Sequence, residues 1–210
     1  MYNHNKGAFM AEQKLDTEIR QEQIVEAALS LVVNYGLRRL SMAAVARRVG
    51  LVPSGIYRHF KSKDEILAAV LDLLGRRLMA NIEAARAQHT GGLDRLRAAL
   101  MGHIRFIREG RAIPRIIFSD DVHSGHPDRK QQILGILAAY RGQLAEMVRQ
   151  GQQEGAIRSD VDPDSATMMF LGIIVPAGVL WHLTEGGFDV TKHAERSWQL
   201  FRIMIAPTAN

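Results

Sequence analysis

The sequence contains no cysteine. Disulfide bonds and thiolate zinc sites are therefore excluded, and the reducing cytoplasm is the expected location.

Long apolar runs are also lacking, because the longest, Thr167–Trp181, falls short of the roughly 20 residues that span a bilayer. We expect this run to be a buried helix and the chain to have no membrane partner. Residues 1–13 lack the apolar core of a signal peptide, so we interpret them as a disordered polar leader.

Acidic residues are missing from one segment of the chain. Between Leu37 and Lys63 there is no carboxylate, and there are seven cations: Arg38, Arg39, Arg47, Arg48, Arg58, Lys61 and Lys63. The whole chain carries +5, so the remaining residues together carry −2. This asymmetry predicts an N-terminal unit with an anionic partner and a larger unit without one. A solvated helix face is the simpler alternative for such a charge run.

Strand patterns are absent, because apolar residues recur at intervals of three and four rather than two. The sequence therefore predicts an all-α fold. Caps and glycines place helices at about 17–35, 42–49, 53–60, 63–89, 93–109, 113–122, 127–153, 163–183 and 190–206. The predicted capping residues are Asp16, Ser41, Ser62 with Glu65, and Asp162.

The second and third helices fit a helix-turn-helix. Ala46, Gly50 and Ile56 stand at relative positions 0, +4 and +10. Alanine permits close helix contact, glycine adopts the positive φ of the turn, and isoleucine anchors the second helix of the motif. We therefore predict a helix-turn-helix DNA-binding domain at 14–62 and a second helical domain at 63–210.

The third helix is the candidate recognition helix, which enters the major groove by its N-terminal end. Pro53, Ser54 and Gly55 are small enough for close approach of the backbone to DNA. Phosphate contacts are expected from Tyr57, His59, Lys61 and Lys63, and longer reach from Arg47, Arg48 and Arg58. Arginine is the commonest reader of guanine, so Arg58 is the first candidate for base contact. Phe60 is interpreted as a core residue.

Residues 40–67, LSMAAVARRVGLVPSGIYRHFKSKDEIL, resemble the DNA-binding domain of the TetR family of bacterial one-component regulators. The resemblance implies a homodimer with two recognition helices in successive major grooves, and a C-terminal helical domain that binds a small molecule and releases the operator DNA. It also implies phosphate contacts by Ser41, Tyr57, His59 and Lys63, and base-facing positions for Pro53, Ser54, Gly55 and Arg58. A repressor is the leading interpretation; an activator or a protein-responsive regulator is the alternative.

The last two helices are the candidate dimer interface. The helix that follows Asp162 is apolar around most of its circumference, so it must be covered on more than one side. The candidate interface residues are Gly172, Ala177, Gly178 and Trp181 on this helix, and Trp198, Phe201, Met204 and Ile205 on the next. The alternative is that these residues form only the core within one chain.

Evidence for a ligand pocket is thinner. His103 lies at the edge of the apolar stripe of its helix, which also carries Ile107. Further candidates are Phe106, Phe118, Tyr140, Met168, Met169 and His182. Each of them also fits an ordinary core position.

A different class of function would use the acidic and histidine residues of 119–128. Asp120, Asp121, His123 and His126 fall within seven residues and resemble a divalent metal site, as in a metal-dependent hydrolase. The His-x-x-His spacing is loose, and no nucleophile elbow or phosphate loop occurs in the chain. We therefore predict no enzyme, no cofactor and no metal.

Overall fold

The computed structural model describes residues 4–109 and 126–207, with side chains from residue 17 onwards. Within these ranges the chain is helical and contains no strand, which confirms the all-α prediction.

The chain divides into two compact units, Met1–Leu73 and Leu74–Asn210. The division lies inside the fourth helix, beyond the expected boundary at 62/63, because Ile66, Leu67 and Val70 at the start of that helix are buried within the first unit.

The first unit contains three helices and the start of a fourth. These are α1 (His4–Tyr35), α2 (Met42–Arg48), α3 (Pro53–Ile56) and α4 (Lys63–Gln88), and a 3₁₀ turn, Leu37–Arg39, joins α1 to α2. Helix α1 begins before the expected Thr17 and includes residues 4–13 of the expected leader. Asp16 is therefore inside the helix and not its cap. The sequence before it contains no proline and is rich in good helix formers, so the helix has no local reason to begin at Thr17.

Apolar side chains from each of these helices form the core of the first unit. Ile24, Ala28, Val32, Val45, Ala46 and Ile56 are completely buried. Gly36 ends α1 as predicted, with φ 82° and its N–H donating to the carbonyl of Val32 at 2.9 Å. The core therefore holds α2 against α1 and α3 against α2.

The described part of the second unit contains the rest of α4 and four further helices: α5 (Gly92–Arg108), α6 (Pro127–Gln153), α7 (Pro163–Leu183) and α8 (Val190–Ile205). Helix α5 packs against α6, α7 and α8, and α7 packs against α6 and α8. The bounds agree with the sequence prediction to about one residue, and the carboxylate of Asp162 caps α7 by accepting from Ser165 N at 2.8 Å. The helix expected at 113–122 lies outside the described residues.

Helix α7 is the most apolar helix described. Its 21 residues, with a mean hydropathy of 1.8 in the best window, are long and apolar enough to cross a membrane by length and composition alone. The apolar run identified in the sequence ended at Trp181, so its length underestimated the length of this helix. Because α7 packs between α6 and α8 and buries seven of its residues there, it is a core helix with one exposed apolar side.

Candidate functional site

The helix-turn-helix motif has the geometry that its spacing predicts. Ala46 and Ile56 are fully buried, and Gly50 has φ +70°. The N–H of Leu51 donates to the carbonyl of Ala46 at 2.9 Å and closes the turn. The three predicted mechanical roles are confirmed, and α3 packs against α2.

Helix α3 is shorter than expected. Regular helix ends at Ile56, whose carbonyl accepts from the N–H groups of both His59 and Phe60 at 3.0 Å. Gly55 is a poor helix former, so a four-residue helix followed by turns is the local outcome. Phe60 is buried, as expected of a core residue, and it anchors the end of this segment.

Most of the candidate DNA-contacting side chains lie at the surface of the first unit. Ser41, Arg47, Arg48, Pro53, Ser54, Tyr57, Arg58 and Lys61 are exposed, and Gly55, His59 and Lys63 are half-buried. Tyr57 is 54% exposed although it is aromatic. The aromatic hydroxyl of Tyr57 and the exposed cations at the end of α2 and after α3 are groups suited to phosphate oxygens.

Two serines fix the backbone at the edges of this surface. The hydroxyl oxygen of Ser41 accepts from Ala44 N at 3.1 Å, so its O–H remains able to donate to a phosphate. At the start of α4, the hydroxyl oxygen of Ser62 accepts from Glu65 N at 3.2 Å. The Glu65 carboxylate accepts in turn from Lys61 N at 2.7 Å. The capping box is thereby confirmed, with the return bond at Lys61 instead of Ser62.

Two candidates have partners within the first unit. The Arg48 guanidinium donates to the Ser30 hydroxyl of α1 at 2.8 Å, so Arg48 is held toward α1 in the free protein. The carbonyl of His59 accepts from the Gln21 amide at 3.3 Å. The Nδ1 atom of His59 is buried without a hydrogen-bond partner among the described residues. Arg47 and Arg58 therefore have the greater freedom to reach DNA.

A polar cluster lies in the second unit, formed by half-buried Asn81 of α4, buried His103 of α5 and buried Tyr140 of α6. His103 Nδ1 and the Tyr140 hydroxyl are 3.0 Å apart, and their ring centroids are 5.5 Å apart. Asn81 also hydrogen-bonds the Tyr140 side chain, and its amide nitrogen donates to the Ala99 carbonyl at 2.8 Å. Asn81 lies so close to Gly102 that a Cβ at that position would collide with it. The cluster requires glycine at position 102.

Burial determines the charge of this cluster. It lowers the pKa of His103 from its usual value to about 4, because a charged imidazolium would lose its hydration. It also raises the pKa of the Tyr140 hydroxyl, against which the hydrogen bond to Asn81 acts. Both groups are therefore uncharged at neutral pH.

The structure buries some of the other ligand candidates and exposes others. Ile107 is buried, and Phe106 is half-buried with its ring edge-on to His103 at a centroid distance of 6.3 Å. Met168 and Met169 are about half exposed, and His182 is exposed, so these three do not lie with the buried cluster. Helix α7 turns them outward because its inward side is occupied by Phe170, Ile173 and Ile174. Phe118 lies outside the described residues.

The candidate dimer-interface residues also include both buried and exposed side chains. Trp198, Phe201 and Ile205 are at most 3% exposed in the single chain, and Phe201 packs against Phe170 at a centroid distance of 6.0 Å. Ala177 and Gly178 are buried and Trp181 is half-buried in the single chain. This burial agrees with the alternative interpretation, in which these residues form the core within one chain. Gly172 and Met204 are exposed. The inward face of α8 therefore belongs to the core of the single chain.

An exposed apolar face on the opposite sides of α7 and α8 was only partly anticipated. Its largest members are Met168, Met169, Val175, Leu180, Leu183, Leu200, Ile203 and Met204. The sequence signal was a second apolar stripe on α8, at positions 200, 203 and 204. Asn81 was missed, although it interrupts the apolar stripe of Leu74, Leu78 and Ile82 on α4.

The metal hypothesis is untested in this structure. Asp120, Asp121 and His123 lie outside the described residues, and His126 precedes α6. Among the described residues no group of three or more potential ligands comes together.

Several known proteins resemble this chain. A curated relative, the fatty acid metabolism regulator protein of Bacillus subtilis, is 21% identical over 168 residues, which cover 80% of this chain and 86% of the relative. The nucleoid occlusion factor SlmA of Vibrio cholerae is 23% identical over 189 residues, 89% of this chain and 95% of the relative. The crystal structure of the regulator FadR from Bacillus subtilis in complex with stearoyl-CoA superposes with a TM-score of 0.72 at 20% identity, covering 86% of this chain and 96% of that one.

Two family models cover most of the sequence. Residues 24–70 match the model of bacterial regulatory proteins of the tetR family, and residues 89–205 match a tetracyclin repressor-like C-terminal domain. The first match contains the helix-turn-helix, and the second contains α5 to α8. The chain therefore belongs to the TetR family of bacterial regulatory proteins.

Proposed function

We infer that this protein is a ligand-responsive, sequence-specific DNA-binding transcriptional repressor that acts as a homodimer in the cytoplasm. The observation that carries this conclusion is the helix-turn-helix, in which Gly50 has φ +70° and Ala46 and Ile56 are buried, beneath an exposed basic surface. We assign it no enzymatic activity. An activator and a protein-responsive regulator use the same DNA-binding surface and are distinguished from a repressor by transcription measurements.

The DNA contacts divide into two groups. Ser41, Tyr57, His59, Lys61 and Lys63 bind phosphates, since their side chains carry donors or charge at the edges of α2, α3 and α4. Pro53, Ser54 and Gly55 allow the start of α3 to approach base edges, and Arg58 is the base-reading side chain. Because Pro53 and Gly55 have no side-chain hydrogen-bonding groups, part of the specificity comes from the shape of the DNA.

The exposed apolar face of α7 and α8 is the proposed dimer interface. Leu183, Leu200 and Ile203 are each about 70% exposed in the single chain. Large exposed apolar patches on soluble proteins mark interaction sites, and a second copy of this chain is the proposed cover. A two-fold symmetric contact pairs the same face of both subunits, and the resulting dimer binds two half-sites about one DNA turn, roughly 34–36 Å, apart.

The second unit is the proposed effector-binding domain. The FadR relative was crystallised with stearoyl-CoA, which supports a small-molecule effector for a chain of this fold. A ligand that prefers a conformation unable to bind DNA shifts the population toward that conformation and releases the operator.

The test is selection of bound sequences from a randomised duplex pool by the full-length protein. We expect a two-fold symmetric site with half-site centres about 10 base pairs apart. Binding to that site should weaken steeply with salt, through release of counterions from the phosphates. Absence of duplex binding even at low ionic strength would contradict the proposal.

A matched pair of variants identifies the surface used. Arg58→Ala should relax the sequence preference, whereas Arg202→Ala, which removes an exposed arginine from α8, should leave selection and salt dependence unchanged. Equal effects of the two substitutions would show that only overall charge matters.

A further inference from the structure

An exposed apolar side chain, Val52, stands immediately before the recognition helix. It is 67% exposed, more than any other large apolar side chain among the described residues of the first unit. Its backbone is extended, with φ −68° and ψ 150°, and it occupies the N-cap position of α3. Pro53 and Ser54, which follow it, are also exposed. A solvent-facing valine therefore lies in the segment that the proposed function places in the major groove.

Local structure does not account for a valine at this position. The N-cap favours Ser, Thr, Asp or Asn, whose side-chain oxygen accepts from a helix N–H, and valine is among the poorest caps. Val52 makes no capping bond, whereas Ser41 caps α2. The anchoring contact belongs to the preceding residue, since Leu51 is half-buried and its N–H donates to the carbonyl of Ala46. Residues that depart from a local preference are expected at functional sites.

The side chain of Val52 lies over the first turn of α3. A Cβ added at Gly55 would be 3.7 Å from Val52 Cγ2, so this methyl group and Gly55 are on the same side of the helix. Ile56, the next residue, is buried and anchors α3 to the core. Because glycine has no side chain, position 55 leaves the valine methyl open to approach from solvent.

The major groove offers this methyl group a specific partner. Base edges there display hydrogen-bond donors and acceptors, together with the apolar 5-methyl group of thymine. Valine has no polar side-chain atom, so it can contact the methyl group but cannot pair with the donors and acceptors. Exposed candidate DNA contacts flank Val52 in the sequence, with Arg47 and Arg48 before it and Tyr57 and Arg58 after it. A duplex bound through these groups would also cover Val52.

We propose that Val52 is a specificity-determining residue that reads the 5-methyl group of a thymine in each half-site of the operator. The contact is made by the valine methyl groups and not by the N–H groups of α3. It supplies apolar base readout beside Pro53 and Gly55, whose side chains cannot hydrogen-bond, and it complements guanine recognition by Arg58. This inference rests on the proposed function and specifies the chemistry that the operator must present.

The test uses the operator selected from the randomised duplex pool and the full-length protein. Each thymine is replaced in turn, at symmetric positions of both half-sites, by deoxyuridine, which lacks the methyl group but keeps the same base pairing. We expect one thymine position at which the replacement weakens binding by about fourfold per half-site, the effect of exposing one apolar carbon group.

Variants of Val52 assign this effect to the side chain. Val52→Ala should bind the thymine and uracil duplexes equally at that position, and it should fold normally because alanine is an equally poor cap. Val52→Thr keeps the shape but exchanges one methyl group for a hydroxyl, so it should retain part of the preference. The matched control is Ile19→Ala, which shortens another exposed apolar side chain of the first unit and should keep the full preference.

Three results would overturn the assignment: a selected half-site without thymine, no effect of uracil at any position, or an effect that persists in Val52→Ala. The same titrations separate this inference from the proposed function. If the unmodified duplex is bound but no methyl preference is found, only the role of Val52 fails. If no duplex is bound even at low ionic strength, the proposed function fails.

Discussion

The two compact units of this chain present opposite kinds of surface. In the first unit most of the candidate DNA-contacting groups are exposed and many are charged, and apolar side chains of α1 to α4 form the core. In the second unit the distinctive polar groups are uncharged and buried, and the exposed feature is apolar. A polyanion is bound by displayed charge, whereas a small molecule and a second subunit are bound by desolvated groups. The two units are therefore sensitive to different perturbations.

The largest expected effect concerns the apolar face of the second unit. Ile203→Lys places a charge on a side chain that is 72% exposed in the single chain and covered in the proposed dimer. We expect monomers in sedimentation analysis, and a loss of DNA affinity on the order of a hundredfold or more because the two heads are no longer linked. The monomer should remain folded, since the inward face of α8 is unchanged.

The matched control for this variant is Leu134→Lys on α6, where the side chain is also exposed but lies outside the proposed face. This variant should remain dimeric and bind DNA normally. A monomeric Ile203→Lys protein with full DNA affinity would separate dimerisation from DNA binding and contradict the proposed arrangement.

The next effect is the pH dependence of the second unit. The pKa of His103 is about 4 in the folded protein and about 6.5 when unfolded, so the unfolded chain binds more protons between these values. The stabilising contribution is complete above about pH 6.5 and is lost as the pH falls toward 4, by as much as about 3 kcal/mol. Urea unfolding across this range measures it, and His103→Phe should flatten that part of the profile. An unchanged slope in the variant would assign the acid sensitivity to other groups.

The smallest effect tests the turn of the first unit. Gly50→Ala introduces a Cβ that meets nothing within 4 Å, so its cost comes from the backbone alone. At φ +70° an alanine should lower the free energy of unfolding by about 1–2 kcal/mol. Gly142→Ala in α6 also meets open space but has helical φ, and it should stabilise the protein by up to about 1 kcal/mol. Denaturant unfolding of the two variants compares the effects, and equal signs would contradict the proposed role of Gly50.

The sequence by itself determined most of the helix bounds, the turn and the basic surface. Caps at Ser41, Ser62 and Asp162, and glycine at positions 36 and 50, act on neighbouring residues along the chain. The excess of cations between Leu37 and Lys63 requires no knowledge of packing, because long charged side chains remain at the surface in almost any fold.

Only the tertiary structure decided which apolar and polar groups face inward. Helix α8 carries two apolar stripes, and packing against α7 and α5 selected Trp198, Phe201 and Ile205 for the core and left Leu200 and Ile203 outside. The cluster of Asn81, His103 and Tyr140 joins residues far apart in sequence on three helices. Local periodicity predicts which sides of a helix are apolar. Which segment covers each side depends on contacts between residues far apart in sequence.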